Sequence, residues 1–181
     1  MAGLLQGHIA AVTGGGSGIG QGICQAYARE GARVVILDAN LEGANETVDL
    51  VTKAGGKASA VKLDVTDRQA CKAAAAEIAK GGNISILVNN AGINRRNPIT
   101  GDAAAVTKDW DDILSINLDG VFNVTRAFLD QLHVPLDRKR RVLAQRMEGR
   151  EKDSGSEIAV LHGVFLGVCA IRACGSRRRP R

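Results

Sequence analysis

The stretch Thr13-Gly-Gly-Gly-Ser-Gly-Ile-Gly20 lies between a β-rich run, His8–Thr13 (HIAAVT), and a helical run that reaches about Glu30 before Gly31 stops it. Glycines at such a junction let the backbone come close to a ligand. The N–H groups and dipole of the helix N-terminus favour negative charge there, as on a pyrophosphate. The spacing is Gly14-x-x-x-Gly18-x-Gly20 and not G-x-G-x-x-G. A glycine loop alone says little, because glycine-rich turns are common. The residues downstream give it meaning. Arg33–Leu37 (RVVIL) reads as a second strand, and Asp38 stands just past it, 18 residues after Gly20. An acid at that place accepts hydrogen bonds from an adenosine ribose. Its charge also repels a 2′-phosphate, so NAD is expected in preference to NADP.

Outward from this unit the alternation continues. Leu41 to about Ala54 reads as a helix ending at Gly55-Gly56, Ala58–Leu63 as a third strand, and Thr66–Asp67 as a cap for a helix from Arg68 to about Lys80. Gly81-Gly82 ends that helix, and Ile84–Val88 (ISILV) is a fourth strand. The strands are nearly continuous apolar runs, as when helices cover both faces of a parallel sheet. Glycines fall just after helices, where a left-handed cap is wanted. The expectation is an α/β chain with a doubly wound parallel sheet. After Gly92 comes a loop with Pro98, then a long helix from about Lys108 to Leu132, interrupted by Pro135. Beyond it the rhythm is lost: Leu136–Lys152 reads as a polar, Arg-rich helix, and Ile158–Ile171 as either a strand or a helix.

The charge distribution divides the chain at the same place. Of the 24 Lys and Arg and 19 Asp and Glu, residues 1–132 carry a slight acidic excess, and residues 133–181 carry the whole basic excess, ending in Arg177, Arg178, Arg179 and Arg181. We therefore read residues 1–132 as a dinucleotide-binding region and 133–181 as a separate basic tail. Only 3% of residues are aromatic while 45% are hydrophobic, which suits α/β layers packed through small side chains. No basic segment followed by an apolar stretch opens the chain, so no signal peptide is expected. Ile158–Ile171 is too short to span a bilayer, so no membrane partner is expected. Cys24, Cys71, Cys169 and Cys174 show no metal-ligand spacing and read as thiols of a cytoplasmic protein.

TGGGSGIG at 13–20, Asp64-Val65 after the third strand, and Asn89-Asn90-Ala91-Gly92 after the fourth together resemble the short-chain dehydrogenase/reductase family throughout residues 6–132. The resemblance implies a Rossmann-type sheet, C-terminally incomplete here, and a small alcohol or ketone substrate. Gly14, Ser17, Gly18, Ile19 and Gly20 would hold the pyrophosphate, and Asp38 the ribose. Asp64 and Val65 would take the adenine, while Asn90, Ala91 and Gly92 would lie beside the cofactor and steady the sheet. Asn117, in Ile116-Asn117-Leu118-Asp119-Gly120, occupies the position of the family's catalytic asparagine, which helps hold a water in the proton relay. Family members are often homo-oligomers and often use the long helix in dimer packing. NNAGINRR (89–96) and the DWDD segment (109–112) are similar to the gluconate and sugar-acid group, in which Arg95 and Arg96 would meet a carboxylate. The same two arginines also fit plain surface charges, and 3-oxoacyl reductases share much of this half.

The family's proton donor is a tyrosine with a lysine four residues later, preceded by a serine on a strand. An unperturbed tyrosine titrates near ~10 and needs such a cation to act as a base at neutral pH. The one tyrosine here, Tyr27, lies in the first helix with Gly31 four residues on, and no Tyr-x-x-x-Lys occurs. Ser154 and Ser156 follow no apolar strand. Arg rises from 6 in residues 1–132 to 10 in residues 133–181, which is what an out-of-frame reading of GC-rich DNA produces. A truncated or frameshifted, catalytically impaired member is therefore expected, of marginal stability and with the edge of the fourth strand open. Two alternatives stand beside it: a non-catalytic NAD-binding module, and nucleic-acid binding through Arg138–Arg141 and Arg177–Arg181. The last lacks interleaved aromatics and a recognition fold.

Overall fold

The computed structural model describes residues 3–132, and the backbone of residues 158–162 and 169–173. Four strands, β1 (Ile9–Thr13), β2 (Arg33–Asp38), β3 (Lys57–Lys62) and β4 (Ile86–Asn89), alternate with helices α1 (Gly18–Arg29), α2 (Leu41–Lys53) and α3 (Arg68–Lys80). The strands run parallel, with β1 between β2 and β4 and β3 outside β2. The chain thus winds one way from β1 to β3 and returns across β1 to β4. A crevice opens at that reversal, above the carboxyl ends of the strands.

Successive strand residues point to opposite faces, and each face has its own core. Ala10, Val12, Val34, Ile36, Ile86 and Val88 pack on the face of α1 and α2, against Cys24, Ala28, Ala44 and Val51. Ala11, Val35, Leu37 and Leu87 pack on the other, against Cys71, Ala75, Ile78, Val124 and Phe128. Both faces of β1, β2 and β4 are covered, which is why those strands read as apolar runs, while β3 at the sheet edge has no buried residue.

The helix starts follow from their caps. Asn40 accepts from the N–H groups of Glu42 and Gly43, and Asp67 from those of Gln69 and Ala70. Asp102 accepts from Ala105 N–H at 2.9 Å, so the long helix begins at Ala103, five residues before the expected Lys108. It is also not one continuous α-helix. Helix α4 (Ala103–Leu114) passes into a π-type turn, Ser115–Asp119, and then into α5 (Gly120–Leu132). Within the turn Gly120 N–H donates to Ser115 O, five residues back, so one additional residue is accommodated. Strand β4 starts at Ile86 and not at Ile84, because Ile84 N–H is taken at 3.1 Å by the side chain of Gln131 on α5.

The edge of β4 is not open, contrary to the expectation from sequence. Ile158–Ile171 contributes to two strands, β5 (Ile158–His162) and β6 (Cys169–Ala173). β6 pairs antiparallel with β4, from Ile86↔Arg172 to Asn89↔Cys169, and β5 pairs antiparallel with β6. An edge strand's unpaired N–H and C=O groups are a template for such an addition. The sheet order is β3-β2-β1-β4-β6-β5, a parallel Rossmann-type half with an antiparallel pair appended. The polar helix read in Leu136–Lys152, Ser154, Ser156 and the arginine clusters at 138–141 and 177–181 lie outside the described residues.

Candidate functional site

Above the carboxyl ends of β1–β4 lies a cleft of about 830 Å³. The candidate cofactor residues and Asn117 line it: Gly14, Ser17, Gly18, Ile19 and Gly20 from the loop after β1, Asp38 from β2, Asp64 and Val65 after β3, Asn90, Ala91 and Gly92 after β4, and Asn117 from the π turn, whereas Arg95 and Arg96 are not among its lining residues.

The floor is the glycine loop. Gly14 has φ +64, and a Cβ there would stand 2.9 Å from Ala91 Cα, so a side chain is excluded by backbone conformation and by space. A Cβ on Gly16 would stand 2.8 Å from Asp38 Oδ2, the oxygen that accepts Gly16 N–H at 2.8 Å. Asp38 Oδ1 accepts Asn40 N–H at 2.9 Å, so the two bonds aim the carboxylate across the cleft. Ser17 occupies the N-cap of α1 in extended conformation, yet its side chain makes no capping bond. Helices α2, α3 and α4 all have side-chain caps. The first N–H groups of α1 are thus left for an acceptor from outside, where the helix dipole favours an anion.

Asp64 is exposed, and its Oδ1 accepts Thr66 N–H at 2.9 Å and the Thr66 hydroxyl at 2.7 Å. Val65 is buried, and its carbonyl accepts Asn123 Nδ2 at 3.1 Å. Asn123 Oδ1 accepts from Arg68 at 3.0 Å, which ties this wall to α5. Asn90 reaches back to the floor: its Nδ2 donates at 3.0 Å to the carbonyls of both Thr13 and Gly14. Asn117 Oδ1 accepts Ile93 N–H at 2.8 Å and its Nδ2 donates to Ile93 O at 2.9 Å. Both ends of that amide are therefore engaged with the loop after β4.

Sequence reasoning missed Thr13, Asn89 and Asn123. The Thr13 hydroxyl, in a residue 1% exposed, accepts the N–H groups of Asn90 and Ala91, each at 3.0 Å. Its position as last residue of the strand entering the loop was the available signal. Asn89 donates to Thr125 Oγ1 at 3.0 Å, while its buried Oδ1 has no partner among the described residues. Arg95 pairs with Asp112 at 3.3 Å and lies 4.0 Å from Asp109, so it is engaged with α4. Arg96 is exposed and makes no ion pair among the described residues.

Burial pushes the thiols of Cys24 and Cys71 up to about 12 and about 11, so neither is a nucleophile at neutral pH. Tyr27 packs beside the core under α1 and α2 and is not part of the cleft lining. Among the described residues no group of three His, Cys, Asp or Glu side chains is placed to hold a metal, and no helix is long and apolar enough to cross a membrane.

Comparison with known proteins finds a match to the short chain dehydrogenase family over residues 8–141. Galactitol 2-dehydrogenase (L-tagatose-forming) of Cereibacter sphaeroides is 42% identical over 128 residues, which are 68% of this chain and 47% of that protein. Gluconate 5-dehydrogenase of Gluconobacter oxydans is 41% identical over 124 residues, 68% of this chain and 47% of that protein. A Beutenbergia cavernae crystal structure, described as that of a proposed NAD(P)-dependent gluconate 5-dehydrogenase with NADP at low occupancy, superposes with a TM-score of 0.63 at 37% identity, covering 71% of this chain and 50% of that one. The chain thus spans about half the length of the curated relatives it matches.

Proposed function

Since the chain belongs to the short-chain dehydrogenase family, we propose that its cleft binds NAD, as the cofactor half of an oxidoreductase acting on small alcohols or ketones. The observation that carries this reading is the convergence, in one cleft, of a glycine-rich loop, an uncapped α1 and the Asp38 carboxylate. A dinucleotide fits that cradle, since Cβ atoms would fill it and α1 keeps its first donors for a pyrophosphate. Gly14, Ser17, Gly18, Ile19 and Gly20 hold the diphosphate in this reading. Asp38 accepts the adenosine ribose hydroxyls, and Asp64 and Val65 flank the adenine. Asn90, Ala91 and Gly92 border the nicotinamide half. Asp38 would meet a 2′-phosphate with like charge, which supports NAD over NADP. When bound, the nicotinamide supplies the hydride-transfer chemistry.

The chain's own contribution is binding and orientation. Asn117 fixes the Ile93 backbone beside the nicotinamide end and belongs to the catalytic set by position. No residue of these 181 supplies the family's proton donor, because Tyr-x-x-x-Lys is absent. We therefore infer that this polypeptide is catalytically impaired, and that a reading-frame shift after Leu132 produced the basic segment. Translation of the coding DNA in all frames through codons 132–181 tests the origin. A serine strand and a Tyr-x-x-x-Lys helix in another frame support it, and their absence from every frame refutes it. Tight NAD binding without turnover would instead favour a non-catalytic NAD-binding module.

For the intact protein, polyol and sugar-acid relatives support a substrate of that class. Homo-oligomerisation is supported by the large apolar side chains that α4, the π turn and α5 leave exposed: Trp110 at 62%, Leu118 at 62% and Phe122 at 60%. The buried free thiols Cys24 and Cys71 suit the reducing cytoplasm. Calorimetric titration with NAD and NADP tests the central reading. Binding of NAD that weakens on Asp38→Ala, with a gain for NADP relative to NAD, is expected. No binding of either dinucleotide refutes it.

A further inference from the structure

One wall of the cleft is built in an unusual way. Ile93 and Asn94 line the end away from Asp38 and Asp64, yet the segment Gly92–Asn97 makes no backbone–backbone hydrogen bond among the described residues; the nearest one closes the turn from Gly101 N–H to Pro98 O. Side chains hold it instead. Asn117 grips Ile93 at the base through two hydrogen bonds. At the tip, Arg95 donates to Asp112 Oδ2 at 3.3 Å and Asn97 Nδ2 donates to Asp109 Oδ2 at 2.7 Å. Lys108 also donates to Asp112 Oδ2, at 2.7 Å. Asp109 and Asp112 share a face of α4 with Lys108, since residues three and four apart are neighbours on a helix. Two cations and two anions make the cluster neutral, and it crosses from loop to helix.

We propose that Arg95, Asn97, Asp109 and Asp112 are positioning residues that hold the Ile93–Asn94 wall, and so set the affinity of the cleft for the nicotinamide half of its ligand. This rests on the cofactor reading proposed for the cleft. The geometry separates the two ends. Asp38 and Asp64 stand at the carboxyl ends of β2 and β3, whereas this wall follows β4, on the other side of β1. A ligand confined to the adenosine side does not reach it. An unclamped wall samples other conformations, and the ligand's affinity falls by the fraction of time the wall is competent. Arg95 and Asp112 side chains are 47% and 30% exposed, so exchanging them for neutral side chains leaves the core untouched.

The experiment is titration of the full chain, Arg95→Gln and Asp112→Asn with NAD and with adenosine 5′-monophosphate, alongside amide hydrogen exchange. The dissociation constant for NAD is expected to rise about two- to five-fold in each variant, the range of a partly exposed ion pair. Affinity for adenosine monophosphate should stay unchanged, and exchange should quicken within residues 93–97. Unchanged NAD affinity in both variants overturns the proposal. So does a parallel loss for adenosine monophosphate, which would mark a general destabilisation. Raising salt on the unsubstituted chain gives an independent measure, because screening loosens exposed pairs: faster exchange confined to residues 93–97 supports the clamp, and no change there refutes it. If the unsubstituted chain binds neither ligand, the cofactor reading itself fails.

Discussion

Replacing Thr13 by Val changes almost nothing in volume and favours strand conformation, yet it should destabilise the chain. Thr13 closes β1, is 1% exposed, and uses its hydroxyl to accept two backbone N–H groups, those of Asn90 and Ala91, each at 3.0 Å. Its own proton points to Val88 O at 3.4 Å, a long bond that contributes little. Val leaves both donors stranded. An unsatisfied buried donor costs ~1–3 kcal/mol, and because both sites are partly reachable by water the lower half of that range applies, for a total of about 2–4 kcal/mol. Thr13→Ser keeps the hydroxyl and loses one methyl, at about 0.8 kcal/mol. Strand propensity alone would rank the two variants the other way. Urea denaturation of both, with the slope held common, reads the difference. Should Val prove as stable as Ser or more so, the hydroxyl does not organise the junction between the glycine loop and β4, and the argument fails.

Gly16→Ala places a methyl 2.8 Å from Asp38 Oδ2 and 3.0 Å from Ala44 N; displacing the carboxylate should weaken dinucleotide binding about ten-fold, at the ~1–3 kcal/mol typical of overpacking. Circular dichroism should show the fold retained, and calorimetric affinity equal to the parent's would count against it. Cys24 and Cys71, pushed up to about 12 and about 11 by burial, should resist thiol reagents at pH 8, since the thiolate is the reactive form. Rapid native-state labelling of either peptide, seen by mass spectrometry, would contradict this. Lys108 beside Asp112 holds its carboxyl below the usual carboxylate value. The depressed pKa means the clamp's contribution is complete above the ordinary value near ~3.9 and is lost as pH falls through the lower folded value. Carboxyl NMR should find Asp112 titrating below that value, and Arg95→Gln moving it upward.

The parallel half was legible because local and global signals agree there. Strands buried on both faces show as apolar runs, and Asn40 and Asp67 sit where caps must. The cleft was legible for a different reason: its residues fall at strand ends, and topology gathers strand ends. The features that stayed hidden depend on pairings distant in sequence. Nothing local marks Asn123 as the donor to Val65, 58 positions away, or Gln131 as the acceptor that shortens β4. Arg95 read equally well as a surface charge or a carboxylate ligand, and only the fold of α4 against the loop gives it Asp112. Ile158–Ile171 carried no periodicity to separate strand from helix, so its pairing with β4 had to come from the sheet edge it met.

The π turn has a further consequence, in rotational phase. Helix α4 faces the loop after β4 through Asp109 and Asp112, while α5 faces the loop after β3 through Asn123. The additional residue within Ser115–Asp119 sets the angle between those two faces. One residue of an α-helix turns the chain by about 100°. A single deletion there would swing one grip away from its wall while the other stayed engaged. The segment therefore acts as a gauge block: it spaces the two sides of the cleft by angle, and a length change of one residue is an error that neither helix can absorb.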